Sequence, residues 1–517
     1  MKLTISMYLK KVILGCGFLL VVACSNFLDE EAPSNLTPDN FYTIPDHAEA
    51  AIASVYADLR FYGNSAGIFS SNWQMLEAPT GTSTTESGQN QDLNNLYSLV
   101  YDGNVGHITN WWNGLYKIIS QANLVLEKVP AISPMDEAQK SRILGEARFL
   151  RAWAYFNAVR LWGDVPLILT TQTAISDDFF PSLTPQESIY QQIVDDLIAA
   201  EASGLSWMDD SGRVSLIAVK SLLSKVYLTM GGYPLQNGAS YYQLAADKAY
   251  EVINYSNSTP GTLNLFPTYA ELRDENLKNR IEHIFMIQYN VLVEGNPMGN
   301  MLPNFKPVTF AGPSGTGTTI PTTTFFNSYE TGDLRAKNQE GYFYTSYYTN
   351  GSGIPFELGG PYIFKHFNQA AFGSFGVPGT RNNNLNVPLI RYAEVLLIYA
   401  EAQNEVGGPN AAAYEAFKRI RDRAQLTTPA IGQYTTDTFR EAVWKERWHE
   451  LCYEGITWFD MLRLRKAYNE STDGFDEFVG HVNPSSNQVL QEKHLLFPFP
   501  LPEMQNNPNL QPQNPGY

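Results

Sequence analysis

Residues 146–168 read EARFLRAWAYFNAVRLWGDVPLI, and the reading of this stretch decides the fold. From Arg148 to Trp162 it contains no Gly or Pro. Ala147, Leu150, Ala154, Ala158 and Leu161 recur at steps of three and four, which is one helical row. Phe149, Trp153 and Phe156 form a second row beside it. A helix that is apolar round most of its girth has to be enclosed by other helices. Gly163 suits a left-handed C-terminal cap, and Pro166 forbids continuation. The stretch predicts a buried helix with further helices stacked before and after it.

Those neighbours are legible on both sides. Asn110–Val129 pairs with Glu137–Trp162 as a helical hairpin, preceded by a helix over Asp46–Arg60 with a face of Ala50, Ala53, Tyr56 and Ala57. Thr184-Pro185-Gln186-Glu187 has the form of a helix start, with Thr at the cap, Pro in the first turn and Glu at the capping-box position. Ile189, Ile193, Leu197 and Ala200 give that helix its inner face, and Ser215–Met230 and Tyr241–Tyr255 predict two more. Helix pairs at loosely regular intervals suggest tetratricopeptide-like stacking, although the strict repeat signature is absent. Helices return at Pro388, where Leu389, Tyr392, Leu396, Tyr399 and Gln403 trace one face. Gly407–Asn410 turns the chain, Ala411–Ala424 runs back, and Thr438–Tyr453 follows with Thr438 and Glu441 at capping-box spacing. The Pro-rich end, FPFPLPEMQNNPNLQPQNPGY, is extended.

Two regions differ in character. Phe61–Ile108 is rich in Gly, Ser, Thr and Asn, with Trp73, Tyr97 and Tyr101 among them. A loop of this length inside a folded body is generally functional or disordered, and its aromatics favour function. Leu263–Asn386 holds short strand-like runs such as His283–Tyr289, long Gly/Pro/Thr/Asn loops and many aromatics, with few carboxylates.

Composition narrows the class. The chain has 517 residues, 44% hydrophobic and 13% aromatic, which suits a folded protein. Its net charge of −17 opposes nucleic acid as a partner. Lys2, Lys10 and Lys11 precede the apolar run Val12–Val22, a secretory leader too short to span a membrane as a mature helix. Val21-Val22-Ala23-Cys24 resembles the bacterial lipobox, which implies cleavage before Cys24 and lipid on its thiol. Loss of three lysines with the leader leaves 32 basic against 52 acidic residues, a mature charge of −20. Only Cys452 then remains unmodified, so no intramolecular disulfide forms and stability comes from packing.

Several segments together resemble the SusD/RagB family of outer-membrane nutrient-binding lipoproteins. They are Cys24-Ser25-Asn26-Phe27-Leu28-Asp29, the 146–168 helix, Arg391–Leu397 with Ala400-Glu401-Ala402, and Glu446-Arg447 through Glu450, Glu454-Gly455, Trp458, Asp460 and Arg463. Phe497-Pro498-Phe499-Pro500, Asn507–Leu510 and Gln513–Tyr517 complete the set, in the family's order from end to end of the mature chain. The resemblance implies an all-α fold of tetratricopeptide-like helix pairs with an irregular, loop-rich lobe carrying a few short strands. It also implies a lipid-anchored protein at the cell surface that captures oligosaccharide and delivers it to a SusC-like TonB-dependent barrel. The expected organisation is a leader over 1–23, a lipidated tether over 24–45, helical regions over 46–262 and 388–517, and a loop-rich ligand face over 263–387.

A pyranose ring presents a face of C–H groups that stacks on the electron-rich face of an aromatic ring. On that basis Trp73, set in Ser70-Ser71-Asn72, is the leading candidate for sugar contact. Its replacement is expected to cost affinity and little stability. Tyr342, Tyr344, Tyr347 and Tyr348 come next, with Tyr101 and Tyr329. Asn72, Arg335 and Asn350 are candidates for hydrogen bonds to sugar hydroxyls. At least one of Trp111 and Trp112 belongs to the core.

Enzymatic readings are weaker. Glu446, Glu450 and Glu454 lie at helical spacing with Arg447 interleaved, which favours an ion-pair network over a catalytic carboxylate pair. His449-Glu450 lacks the second histidine of a zinc helix, because Tyr453 stands there. Gly312-Pro313-Ser314-Gly315-Thr316 fails as a nucleophile elbow at its last position, and Cys452 reads as inert core. No catalytic residue, metal or cofactor is expected. The alternatives are a surface glycoside hydrolase and a peptide- or glycopeptide-binding member of the same family.

Overall fold

Glu137–Trp162 folds as one helix of 26 residues, and both rows named from its sequence are buried. Gly163 ends it at φ +76°, a left-handed conformation natural to glycine. The computed structural model describes residues 41–172, 179–298, 316–348, 354–368 and 383–517. The leader, Cys24, residues 24–40 of the tether and Asn350 lie outside these residues.

The main helices are α1 (Pro45–Asp58), α2 (Gly106–Lys128), α3 (Glu137–Trp162), α4 (Gln186–Glu201), α5 (Leu216–Gly231) and α6 (Ala239–Ser258). They continue as α7 (Tyr392–Gly407), α8 (Ala411–Arg423), α9 (Thr436–Glu450) and α10 (Thr457–Leu464). Each helix from α1 to α6 packs on the next, and α7 packs on α6 although more than 130 residues of chain separate them. The loop-rich lobe is thus an insertion between two successive helices of one stack. The fold is all-α, and its strands are short: β1 (Ser83–Thr84), β2 (Val165–Pro166), β3 (Leu183–Thr184), β4 (His283–Ile287) and β5 (Ile320–Pro321), then β6 (Phe343–Tyr348), β7 (Pro355–Ile363), β8 (Val387–Arg391), β9 (Lys466–Asn469) and β10 (Gly474–Glu477). Among the described residues they form five separate antiparallel pairs, of which β1–β5 ties the 61–108 segment to the lobe and β4–β8 leads into α7.

Three local expectations are corrected. Thr184 does not cap α4: it lies in β3, paired with Val165, and the Gln186 amide donates to Asp164 Oδ1 at 3.0 Å instead. The β2–β3 pairing brings that carboxylate from across the chain, which a local cap motif cannot foresee. Helix α9 begins two residues before Thr438, with Thr435 as its cap and Thr438 at the third position. The segment after Pro388 is strand until Arg391, because its amides pair with β4.

One apolar cluster runs from Ala48 to Leu510 and includes Trp111 and Trp112. A second, smaller one holds Tyr344, Tyr347, Leu358, Tyr362, Phe364 and Phe367 of the β6–β7 hairpin and the turn after it. The 61–108 segment is mostly buried and is built from 3-10 turns and a short helix, Gln91–Tyr97.

Candidate functional site

Two clusters of charged and aromatic side chains lie in or against the lobe. The first lies where the lobe meets α8 and α9. Arg335 pairs with Asp333 at 2.8 Å, Glu446 at 2.6 Å and Glu450 at 3.3 Å. Arg391 pairs with Glu282 at 2.5 Å, Glu454 at 2.7 Å and Glu450 at 3.3 Å. Arg423 reaches Glu282 and Glu450, and Lys365 reaches Glu454. All of these side chains are buried. Burial alone would raise the pKa of Glu454, but Arg391 and Lys365 overcome it and hold the carboxyl down at about 2. Asp460, buried beside Arg447 and Arg463, is likewise held at about 2. An ion-pair network around Glu446–Glu454 is present and enclosed, but its cations come from Arg335, Arg391, Arg421, Arg423 and Lys365, whereas the interleaved Arg447 turns to Asp460 instead. Its acids are consumed by cations, so it is a clamp between lobe and helices.

The second place is an open recess of about 410 Å³ in the lobe, between β1, β5 and β7. Its walls include Thr84, Glu86, Thr322, Leu358, Gly359 and Tyr362. The Tyr362 hydroxyl donates to the half-buried Glu86 carboxylate. Burial and then that carboxylate raise the phenol's pKa, so the proton stays on Tyr362. The Glu86 amide donates to Gly317 O at 2.8 Å, which anchors the loop. Gly359 has φ +83° with open space in front of it, so the wall exposes backbone. Hydroxyls, backbone groups and a carboxylate suit hydrogen bonding to a polyol. Among the described lining residues Glu86 is the one carboxylate, whereas glycoside hydrolysis uses two.

Most residues expected to touch sugar are elsewhere. Trp73 is 0% exposed and packs in the main core, so its ring has no face to offer. Asn72 is buried and committed: its amide donates to Phe61 O at 2.7 Å and its carbonyl accepts from Asn110. Tyr101 is enclosed by Phe497 and Tyr517 of the tail. Tyr329 donates to His449 O at 2.9 Å, and Tyr342 donates to Glu450 at 2.8 Å inside the clamp. Arg335 belongs to the same clamp. Tyr344 and Tyr347 fill the hairpin core. These eight side chains serve packing, because nonlocal partners cover what their polar sequence context suggested was exposed. Tyr348, at the end of β6 opposite Pro355, is half-buried and keeps part of its ring accessible.

Sequence reading missed Glu86 on the recess wall, and it passed over Phe69, an exposed aromatic that does not line the recess. Glu86 was legible as the single acid in Thr82-Ser83-Thr84-Thr85-Glu86-Ser87-Gly88. Phe69 is 43% exposed at φ +55°, a conformation rare for a bulky residue. Its signal was an apolar pair, Ile68-Phe69, in a run of small residues. Asn90, at the head of the Gln91–Tyr97 helix, holds that loop by donating to Ala66 O and Ile68 O.

The chain is similar to known proteins along its length. The family model described as the SusD family matches residues 246–517. A second, described as starch-binding associating with outer membrane, matches residues 26–228. SusD-like protein P2 of Formosa agariphila is 29% identical over 96% of this chain and 98% of its own. The crystal structure of a SusD superfamily protein from Parabacteroides distasonis superposes with a TM-score of 0.85 at 35% identity, covering 93% of this chain and all of that one. A laminarin-binding SusD-like protein superposes at 0.70 with 25% identity, covering 92% of this chain and 100% of its own.

Proposed function

The chain belongs to the SusD family, and from that premise we propose that it captures an oligosaccharide in the lobe recess and passes it on chemically unchanged. The observation that carries this reading is the recess itself: open, 410 Å³, and walled by hydroxyls, glycine backbone and the Glu86–Tyr362 pair. The likeness to a laminarin-binding relative supports a glucan or similar neutral glycan as cargo. Glu86 accepts hydrogen bonds from adjacent sugar hydroxyls and Tyr362 orients it, while half-buried Tyr348, on the same hairpin but outside the recess lining, is the candidate stacking ring. Each contact is solvent-facing and worth about 1 kcal/mol, so affinity per sugar is low.

Lipid on Cys24 holds the protein at the outer membrane, and a SusC-like TonB-dependent barrel receives the cargo. No helix among the described residues is long and apolar enough to cross a membrane, which leaves anchoring to the lipid in this reading. Partner contact supplies the effective concentration that a weak site lacks. A glycan array with the full-length chain tests the proposal, followed by calorimetry on laminarin and xyloglucan fragments. Retention of at least one oligosaccharide class, with no new reducing ends released, is the expected result. Absence of any glycan binding at millimolar concentration, or release of reducing ends, defeats it.

A further inference from the structure

A larger cavity, about 670 Å³, lies away from the lobe recess and shares no lining residue with it. It is bounded by the C-terminal end of α3, the start of α4, α10 and the C-terminal tail. Its walls are apolar over much of their extent, with Leu183, Leu462, Leu496 and Phe499. Its charged residues run against the composition of the chain. In a protein of net charge −17, four basic side chains line this cavity, Arg160, Arg463, Arg465 and Lys493, against two acidic ones, Asp164 and Glu492.

Arg463 is neutralised from behind by Glu401 and Asp460. The other three have no carboxylate within ion-pairing distance among the described residues. Arg160 is the most confined. Its guanidinium lies between the Phe156 and Phe459 rings, 3.7 and 3.5 Å from their centroids. Its Nε donates to Phe156 O at 2.8 Å and one Nη to Asn157 at 3.0 Å. Its other Nη has no acceptor among the described residues. Burial holds the pKa of half-buried Arg160 down to about 9, outweighing the more distant Glu394 and Asp460. Arg465, over the Tyr233 ring at 5.1 Å, is lowered in the same direction by burial.

A second observation is independent of charge. Tyr190, 1% exposed, lines the same cavity, and its hydroxyl has no hydrogen-bond partner. Its ring centroid is 6.3 Å from that of Phe156, the ring that supports Arg160. A buried phenol without a partner carries an uncompensated desolvation cost, which a ligand acceptor removes. One guanidinium N–H and one phenol O–H match the two oxygens of a carboxylate. The leucine and phenylalanine walls match an apolar body, and the volume lies within the usual range for small-molecule sites.

We propose that this cavity binds a small organic carboxylate with an apolar body, its head held by Arg160 and Tyr190. The test is calorimetry of the full-length chain with 4-phenylbutyrate, with neutral 4-phenylbutanol and inorganic phosphate as comparators. Phenylbutyrate is expected to bind at least about tenfold more tightly than either comparator. Arg160→Met is expected to weaken phenylbutyrate by about tenfold and to leave the alcohol unchanged. Tyr190→Phe removes only an oxygen without a partner, so the fold persists, and it is expected to weaken the acid by about threefold. If Arg160→Met does not fold, Tyr190→Phe decides the matter. Equal binding of acid and alcohol, phosphate binding as tightly as the acid, or phenylbutyrate affinity unmoved in the folded variants overturns the proposal.

Discussion

Tyr342 and Tyr362 make the same bond in two settings. Each donates its hydroxyl to a glutamate, Tyr342 to Glu450 and Tyr362 to Glu86. Glu450 is surrounded by Arg335, Arg391 and Arg423, all buried. Glu86 stands on the wall of an open recess, half-buried. Identical chemistry therefore serves as a fastener in one region and, in the proposed function, as a binding surface in the other. What separates them is whether cations and burial close off the carboxylate. Breaking a buried pair strands a charge, which is strongly destabilising, whereas a rim contact is worth little to the fold.

The contrast can be broken most forcefully at Arg391. Arg391→Met leaves Glu282, Glu450 and Glu454 without their shared cation, and we expect a loss of about 3–5 kcal/mol in urea unfolding. A loss under about 1 kcal/mol would mean that the clamp is not what joins lobe to helices. Trp73→Ala tests the same division from the apolar side. It should cost about 3–5 kcal/mol of stability, and glycan affinity measured on the folded fraction should be unchanged. Preserved melting temperature with lost affinity would return Trp73 to the binding surface.

Acid sharpens the comparison next. Glu454 and Asp460 titrate near 2 in the folded protein, below their ordinary values of 4.5 and 3.8. Their ionised forms favour the native state, so that stability is fully present above about pH 4.5 and drains as pH falls toward 2. The urea midpoint followed across this window should fall steadily, and a flat profile would contradict it. Glu77 carries the opposite sign. Burial raises its pKa to about 8, so ionising it opposes folding increasingly from pH 4.5 upward. Glu77→Gln should therefore gain stability relative to the parent as pH rises from 4.5 to 8, read by the same midpoint.

The smallest effects on the fold belong to the recess. Glu86→Gln should weaken oligosaccharide binding by about 1–2 kcal/mol with a melting temperature close to the parent's. Tyr348→Ala, on the same hairpin but outside the recess lining, should cost about 1 kcal/mol of affinity in the same calorimetric assay. If both leave affinity untouched while binding persists, the cargo is held elsewhere in the lobe.

Helices were the most legible feature. Glu137–Trp162 was readable to the residue because its two apolar rows repeat locally, and Gly163 marked its end. The helix starts were read less well, since Asp164 reaches α4 only through the β2–β3 pairing. The ion network was readable from Glu446, Glu450 and Glu454, which lie on one stretch. Its partners Glu282, Asp333, Lys365 and Arg391 come from distant chain and were not. Trp73 was misplaced for the converse reason: its polar neighbours in sequence say nothing of the core that closes over it.

The amino-acid order alone determined the helical stack, its family and the acidic composition of the chain, because periodicity, motif order and charge are properties of the chain itself. Only the tertiary structure decided which aromatics are covered, which acids are neutralised and where open cavities remain. Exposure is set by whatever the fold brings against a side chain, and most of those contacts are made by residues far away in sequence.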